Sequence, residues 1–401
     1  MNETYRTFHR VLSVVGISVF AKENWQSKLW LLLQIFNFII GVMCFIFTTG
    51  FVTINSSDLL LFIQGACIWT TGTIMTISLG ICLFFRNNFR NFLTEMAFND
   101  HMLEMPLIQY VLLMDRGEKV LELKEIVNGT QEKLLKYTRL LLKTYVACIF
   151  LCVTLYLCTP IFLLIQKQDK TLRILAFDMW FPWSLENFGV YVTSFILMRI
   201  VAIYAVLVTY PGLQSIIILL VGQIIRQLRI LTFILKHLNE LVIEITGNEA
   251  AMWQPCCSVK IKRYSNKLNK ICRPFYLTLI LVAIILVCMC SVKIAISKKL
   301  SPDTMKYYVQ EFCAILVVLM FCFLGQQVDN ECGQLQNAVT DKWYIFDRKH
   351  KKNILIFSMA LSQRMPIYIF GTISLSLPTF TWFIKTEMSF FTLVMSVLEE
   401  V

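Results

Sequence analysis

Residues 365–401 read MPIYIFGTISLSLPTFTWFIKTEMSFFTLVMSVLEEV, and the fold turns on how this stretch crosses a membrane. From 366 to 398 it runs 33 residues with only Lys385 and Glu387 charged. Roughly 20 apolar residues cross a hydrocarbon core, so one straight helix cannot hold the whole run. Gly371 and Pro378 are the available breakers, with Ser376 placed as a cap and Pro378 in the first turn of a new helix. The expectation is a split last helix: a cytoplasmic anchor piece, then a separate helix that crosses the membrane. Upstream, 329–364 is charged and amphipathic, with Trp343, Tyr344, Phe346, Ile354 and Ile356 as its apolar anchors.

The rest of the chain agrees with a membrane reading. It is 57% hydrophobic and 16% charged, where soluble domains average roughly 45–50% and 25%. Uncharged apolar runs mark spans at 29–57, 59–85, 144–165, 274–292 and 312–327. A further run opens near Asn187 and meets only Arg199 before Arg226. With the terminal helix these make seven, so the termini lie on opposite sides. Placing the N-terminus inside puts 28 of the 37 Lys and Arg in cytoplasmic segments and 6 in outer loops. The N-terminus is therefore expected in the cytoplasm and the C-terminus outside. The net charge of +11 follows from this asymmetry and does not point to nucleic acid. No cleavable signal peptide is expected, because 1–28 lacks an apolar core followed by small residues. The organisation expected is a cytoplasmic segment at 1–28, a six-helix transmembrane bundle with cytoplasmic extensions at 29–328, and the anchor and terminal helices at 329–401.

Enzyme chemistry finds no foothold. The four histidines, His9, His101, His237 and His350, all fall in cytoplasmic segments, and phosphate-binding glycine loops are absent. The 14 cysteines sit in spans or cytoplasmic segments without a Cys-x-x-Cys pattern, so they read as small buried hydrophobes rather than disulfides or zinc ligands. Neither a metal nor a cofactor is expected. Two readings remain, a ligand-gated channel subunit and a metabotropic seven-helix or gustatory-type chemoreceptor. The inside N-terminus is opposite to G-protein-coupled receptors and favours the channel.

The tail also resembles a known family. Trp343 with Tyr344, the basic cluster at 348–352, the turn at 362–366, Gly371, the motif at 376–380 and the Lys-x-x-x-Ser-Phe-Phe-Thr-Leu run at 385–393 resemble the C-terminal signature of insect odorant receptors. Pro378 departs from it, since a polar or acidic residue is common there. Phe8, Leu12, Gly16 and the aromatic stretch at 177–183 are similar to the same family. The resemblance implies an odorant-gated, non-selective cation channel in the plasma membrane of sensory neurons, a heterotetramer with a shared co-receptor. The short connection between the fourth and fifth spans fits an odorant-tuning subunit rather than that longer co-receptor. By the resemblance, the outer halves of spans two, three, four and six hold the pocket for a small volatile. Candidates there are Trp69, Met75, Cys152, Tyr156, Tyr191, Phe195, Met198 and Tyr308.

Helical spacing puts Ser389, Leu393, Ser396, Val397 and Glu400 on one stripe of the terminal helix, with Phe391, Val394, Met395 and Leu398 opposite for packing. The stripe suits a pore: Leu393 and Val397 as apolar constrictions, Ser396 as a polar contact and Glu400 as an outer acidic ring. Lys385 and Glu387 would line a water-filled vestibule below it. Arg199 either turns into the bundle or snorkels. Lys293 and Glu311 lie equally far from Pro302 and are expected to pair across the fifth and sixth spans.

Overall fold

The computed structural model describes residues 25–98, 106–167, 175, 177–204, 210–237, 240–241, 243–244, 256–297, 302–341, 367–370 and 373–400. Its long helices are α1 (Trp25–Ile54), α2 (Leu59–Phe84), α5 (Glu118–Lys167), α7 (Tyr210–Lys236), α8 (Cys256–Ser297) and α9 (Pro302–Asp341). Shorter ones are α3 (Arg86–Phe98), α4 (Pro106–Leu113) and α6 (Phe188–Tyr204). A small antiparallel hairpin, β1 (Tyr368–Phe370) and β2 (Ile373–Ser374), precedes α10 (Leu377–Glu400). Six of the described helices are long and apolar enough to cross a membrane, and the apolar part of α6 is shorter. The expected all-helical membrane architecture is the one observed. The run expected as the fourth span carries α6 and α7, with 205–209 outside the described residues.

Polarity is turned inside out, as a bilayer requires. Along α1, Leu29, Leu32, Phe36, Ile39, Met43 and Ile46 are exposed while Gln34, Asn37 and Thr48 are buried. The inner face of α1 packs on α2, where the Thr76 hydroxyl donates to the Gly41 carbonyl at 2.8 Å. Small residues at such a contact let the backbones approach, which drives helix association where lipid removes the hydrophobic advantage. Asp58 caps α2, its carboxylate accepting from the backbone N–H groups of Leu60 and Leu61 at 3.0 and 3.2 Å.

The centre is α7. Residues Ile216, Ile217, Ile218, Leu219, Leu220 and Val221 are all buried, so over this stretch the helix is apolar on every side and enclosed by others. α5 and α9 pack on it, α8 packs on α9 and α2, and α10 lies across α8 and α9. The core extends beyond the apolar spans: Phe89 and Phe92 of α3, Ile108 and Val111 of α4, and Val120 and Leu123 of α5 join the same cluster. There the helices are tied by an ion pair, Arg229 Nε to Glu331 Oε1 at 2.6 Å, linking α7 to α9.

The break in the last stretch is the hairpin. Leu375 N donates to Ile367 O at 2.7 Å, and Ile367, Ile369 and Leu375 are buried against the bundle. Leu375 lies on Gly325 of α9 so closely that a Cβ there would run into the Leu375 carbonyl oxygen. α10 then starts with Phe380 N donating to Ser376 O at 3.1 Å, and Pro378 sits in its first turn where no N–H is needed. The segment expected to hold the anchor helix begins inside α9, which runs on to Asp341; Trp343, Tyr344, the clusters at 348–352 and 362–366 and Gly371 lie outside the described residues, as do Phe8, Leu12 and Gly16.

Candidate functional site

Five helices line a cavity of about 120 Å³. α5 contributes Tyr145, Ile149, Cys152, Val153 and Tyr156; α9 contributes Gln310, Cys313, Ala314 and Val317. Leu279, Ala283 and Leu286 come from α8, Ile68, Thr71 and Ile74 from α2, Gln214 from α7, and Phe177 from the segment before α6. On α5, α8 and α9 these positions recur at intervals of three and four, which places them on one helix face. The wall is apolar with a few polar groups, the usual composition of a small-molecule site.

The polar groups form one network. The Tyr156 hydroxyl donates to Gln310 Oε1. Gln310 Nε2 donates to the Cys67 carbonyl at 3.0 Å and to Thr71 Oγ1 at 3.2 Å. Phe177 stacks on the Tyr156 ring with centroids 5.3 Å apart, and Lys306 Nζ lies 5.3 Å from that ring's centroid. The aromatic segment that carries Phe177 is fixed above the bundle. Trp180 N donates to Phe47 O at 3.0 Å, Trp183 Nε1 donates to Ser194 Oγ at 2.9 Å, and Asp178 accepts from Gln64 Nε2 at 2.8 Å.

Of the eight residues expected to bind a ligand, the cavity collects Cys152 and Tyr156. Trp69 and Met75 follow Ile68 and Ile74 by one residue, a turn of about 100° that aims them at α1 instead. Trp69 Nε1 donates to Thr49 Oγ1 at 3.0 Å, and Met75 packs with Leu79 against Phe38, Ile40 and Cys44. Tyr191, Phe195 and Met198 stand on α6, whereas the fourth-span run reaches the cavity through Gln214 of α7. Tyr308 is 43% exposed, next to the buried Tyr307 and off the face that carries Gln310. Sequence reasoning missed Gln310, Thr71 and Gln214, and the whole α8 wall. The three-and-four spacing of Leu279, Ala283 and Leu286 was the available signal. Arg199 turns into the bundle: its guanidinium donates to the Leu157 carbonyl of α5 and lies 4.2 Å from the Phe195 ring centroid.

On α10, Phe391 and Val394 pack against Ile63 of α2 and Cys288 and Val292 of α8. The other face carries Ser389, Leu393 and Ser396, all exposed in the single chain, with Leu393 at 59%. Val397 and Glu400 lie on the same helix, and their side chains are outside the described residues. Of the pair expected in a vestibule, Lys385 is exposed and Glu387 is buried in the single chain. Ser291 Oγ of α8 lies 3.4 Å from Glu387 Oε1 and 2.9 Å from Glu311 Oε1. The expected Lys293–Glu311 pair is not formed. Lys293 Nζ donates to Gln64 Oε1 at 3.2 Å, because two positions past Ser291 it faces α2 rather than α9.

Comparison with known proteins places this arrangement. Similar in fold are two structures of the insect olfactory receptor OR5 from Machilis hrabei. The one in complex with eugenol aligns with a TM-score of 0.76 at 12% identity, covering 98% of each chain. The other aligns with a TM-score of 0.71 at 13% identity, covering 98% of this chain and 97% of that one. No curated protein sequence matches significantly. A family model described as 7tm Odorant receptor matches residues 105–388, from just before α4 into the middle of α10. The chain belongs to the 7tm odorant receptor family.

Proposed function

We propose that this chain is the odorant-binding subunit of a ligand-gated, non-selective cation channel. It is an odorant-tuning subunit that assembles with the shared co-receptor as a heterotetramer in the plasma membrane of sensory neurons. Its N-terminus is cytoplasmic and its C-terminus extracellular, as the 28 to 6 bias of basic residues supports. The volatile occupies the cavity between α2, α5, α7, α8 and α9. The stripe of α10 with Ser389, Leu393, Ser396, Val397 and Glu400 faces the pore axis, and Lys385 lies in the vestibule beneath it.

One observation carries the reading: the cavity wall and the terminal helix meet through adjacent residues of α9. Gln310 lines the cavity, and the next residue, Glu311, shares the Ser291 hydroxyl with Glu387 of α10. A ligand that favours one position of α9 thereby biases α10, which is what coupling between a site and a gate requires. That a structure of similar fold holds eugenol supports a small organic ligand.

The test is current recording from cells expressing the chain with a co-receptor, against a panel of small volatiles. Ligand-evoked current is expected, and Ala283→Trp, which fills the cavity, should remove it at matched surface expression. Undiminished responses in that variant would place the ligand elsewhere.

A further inference from the structure

Of the described residues that line the cavity, all but Phe177 stand on one of the five long helices. Phe177 belongs to the irregular segment between α5 and α6, and its ring stacks on Tyr156 with the two planes 10° apart. Shifting any other part of the wall unpacks a helix. Shifting Phe177 breaks only what holds its own segment, so this is the part of the wall that opens at least cost.

The two ends of the segment are held differently. From Trp180 onward it is fastened to α1 and α6. Trp180 N donates to Phe47 O at 3.0 Å, a Cβ on Gly50 would meet the Trp180 ring at 3.0 Å, and Trp183 Nε1 donates to Ser194 Oγ at 2.9 Å. At the Phe177 end the hold is polar. Asp178, the next residue, accepts at Oδ2 from Gln64 Nε2 of α2 at 2.8 Å. Gln64 Oε1 in turn accepts from Lys293 Nζ of α8 at 3.2 Å, and Lys293 is 6% exposed. One amide thus lies between a carboxylate and an ammonium, which orient it from both ends. Hydrogen bonds to charged groups are stronger than those between neutral ones.

We propose that Lys293, Gln64 and Asp178 form a latch. They are positioning residues that keep Phe177 in the cavity wall and set how readily a small molecule passes it. Passage occurs when the Gln64–Asp178 bond breaks and residues 177–178 swing about the fixed Trp180, as a small lid. The consequence for odorant responses rests on the cavity being the ligand site, whereas the latch itself does not.

The test needs no odorant. Cys152 and Cys313 line the cavity, Cys158 is exposed on α5, and Cys272 is buried outside the cavity. N-ethylmaleimide, a one-ring reagent whose C=C takes up the thiol S–H to give a thioether, is applied to membranes holding the full-length chain. Peptide mass spectrometry reads each cysteine separately. Asp178→Ala and Gln64→Leu should speed labelling of Cys152 and Cys313 roughly 10-fold. Asp178→Asn, which keeps an acceptor but loses the charge, should speed it less. Cys158 should be unchanged as the control for reagent access, and Cys272 as the control for general loosening. Wild-type labelling rates in these variants overturn the latch, as do acceleration that extends to Cys272 and cavity cysteines that label in no chain. Should Asp178→Ala and Gln64→Leu fail to fold, Asp178→Asn decides alone. If labelling follows the prediction while Ala283→Trp leaves odorant currents undiminished, the latch stands and the cavity is not the ligand site.

Discussion

Glu311 and Glu387 reach the same hydroxyl. Ser291 Oγ lies 2.9 Å from one carboxylate and 3.4 Å from the other, at the meeting of α8, α9 and α10. A serine hydroxyl carries one proton and can donate it to only one carboxylate at a time. The two acids are therefore coupled, and a shift of either changes what the other can hold.

That coupling is measurable. Glu311→Gln, Glu387→Gln and the double variant should depart from additivity in unfolding free energy by roughly 0.5–3 kcal/mol, as groups sharing a network do. Additivity to within about 0.3–0.5 kcal/mol would show that the two carboxylates do not sense each other.

This region also shows what the sequence could tell. Lys293 and Glu311 were matched by distance from Pro302, a measure of depth that carries no information about helix face. α8 ends at Ser297 and α9 starts at Pro302, so the depth argument was sound, yet the 200° between Ser291 and Lys293 sends the lysine to α2. The same limitation governs the cavity. Uncharged runs locate spans because charge is costly in lipid, and they were readable at α1, α2, α5, α8 and α9. Which side of a span faces the cavity depends on the neighbouring helices, and Trp69 against Ile68 shows that one residue decides it. The hairpin before α10 was foreseen only as a break, since three-residue strands leave no period to read.

The hairpin depends on Gly325. Any side chain there meets the Leu375 backbone, which cannot swing aside as a flexible side chain would. Gly325→Ala should destabilise the chain by roughly 1–3 kcal/mol, the usual effect of overpacking. It should also shift the odorant concentration for half-maximal current, because Leu375 leads directly into α10. Unfolding and currents both indistinguishable from wild type would mean that the hairpin does not hold the terminal helix in place.

The exposed face of α10 makes a separate prediction. Leu393→Ser and Val397→Ser remove apolar constrictions that would close by dewetting, so odorant-independent current should rise. Glu400→Lys should lower cation conductance by reversing the charge of the outer ring. With co-receptor expression matched, unchanged basal current in both serine variants would remove this face from the pore.

The central claim is that ligand binding in the cavity opens a pore the chain itself lines, without an intermediary. Excised membrane patches bathed in nucleotide-free solution test it most directly. Patches from cells expressing the chain with a co-receptor should still pass odorant-evoked current, with an ionic selectivity that Glu400→Lys alters. Current that vanishes on excision and returns only with GTP would contradict the account and establish the metabotropic reading.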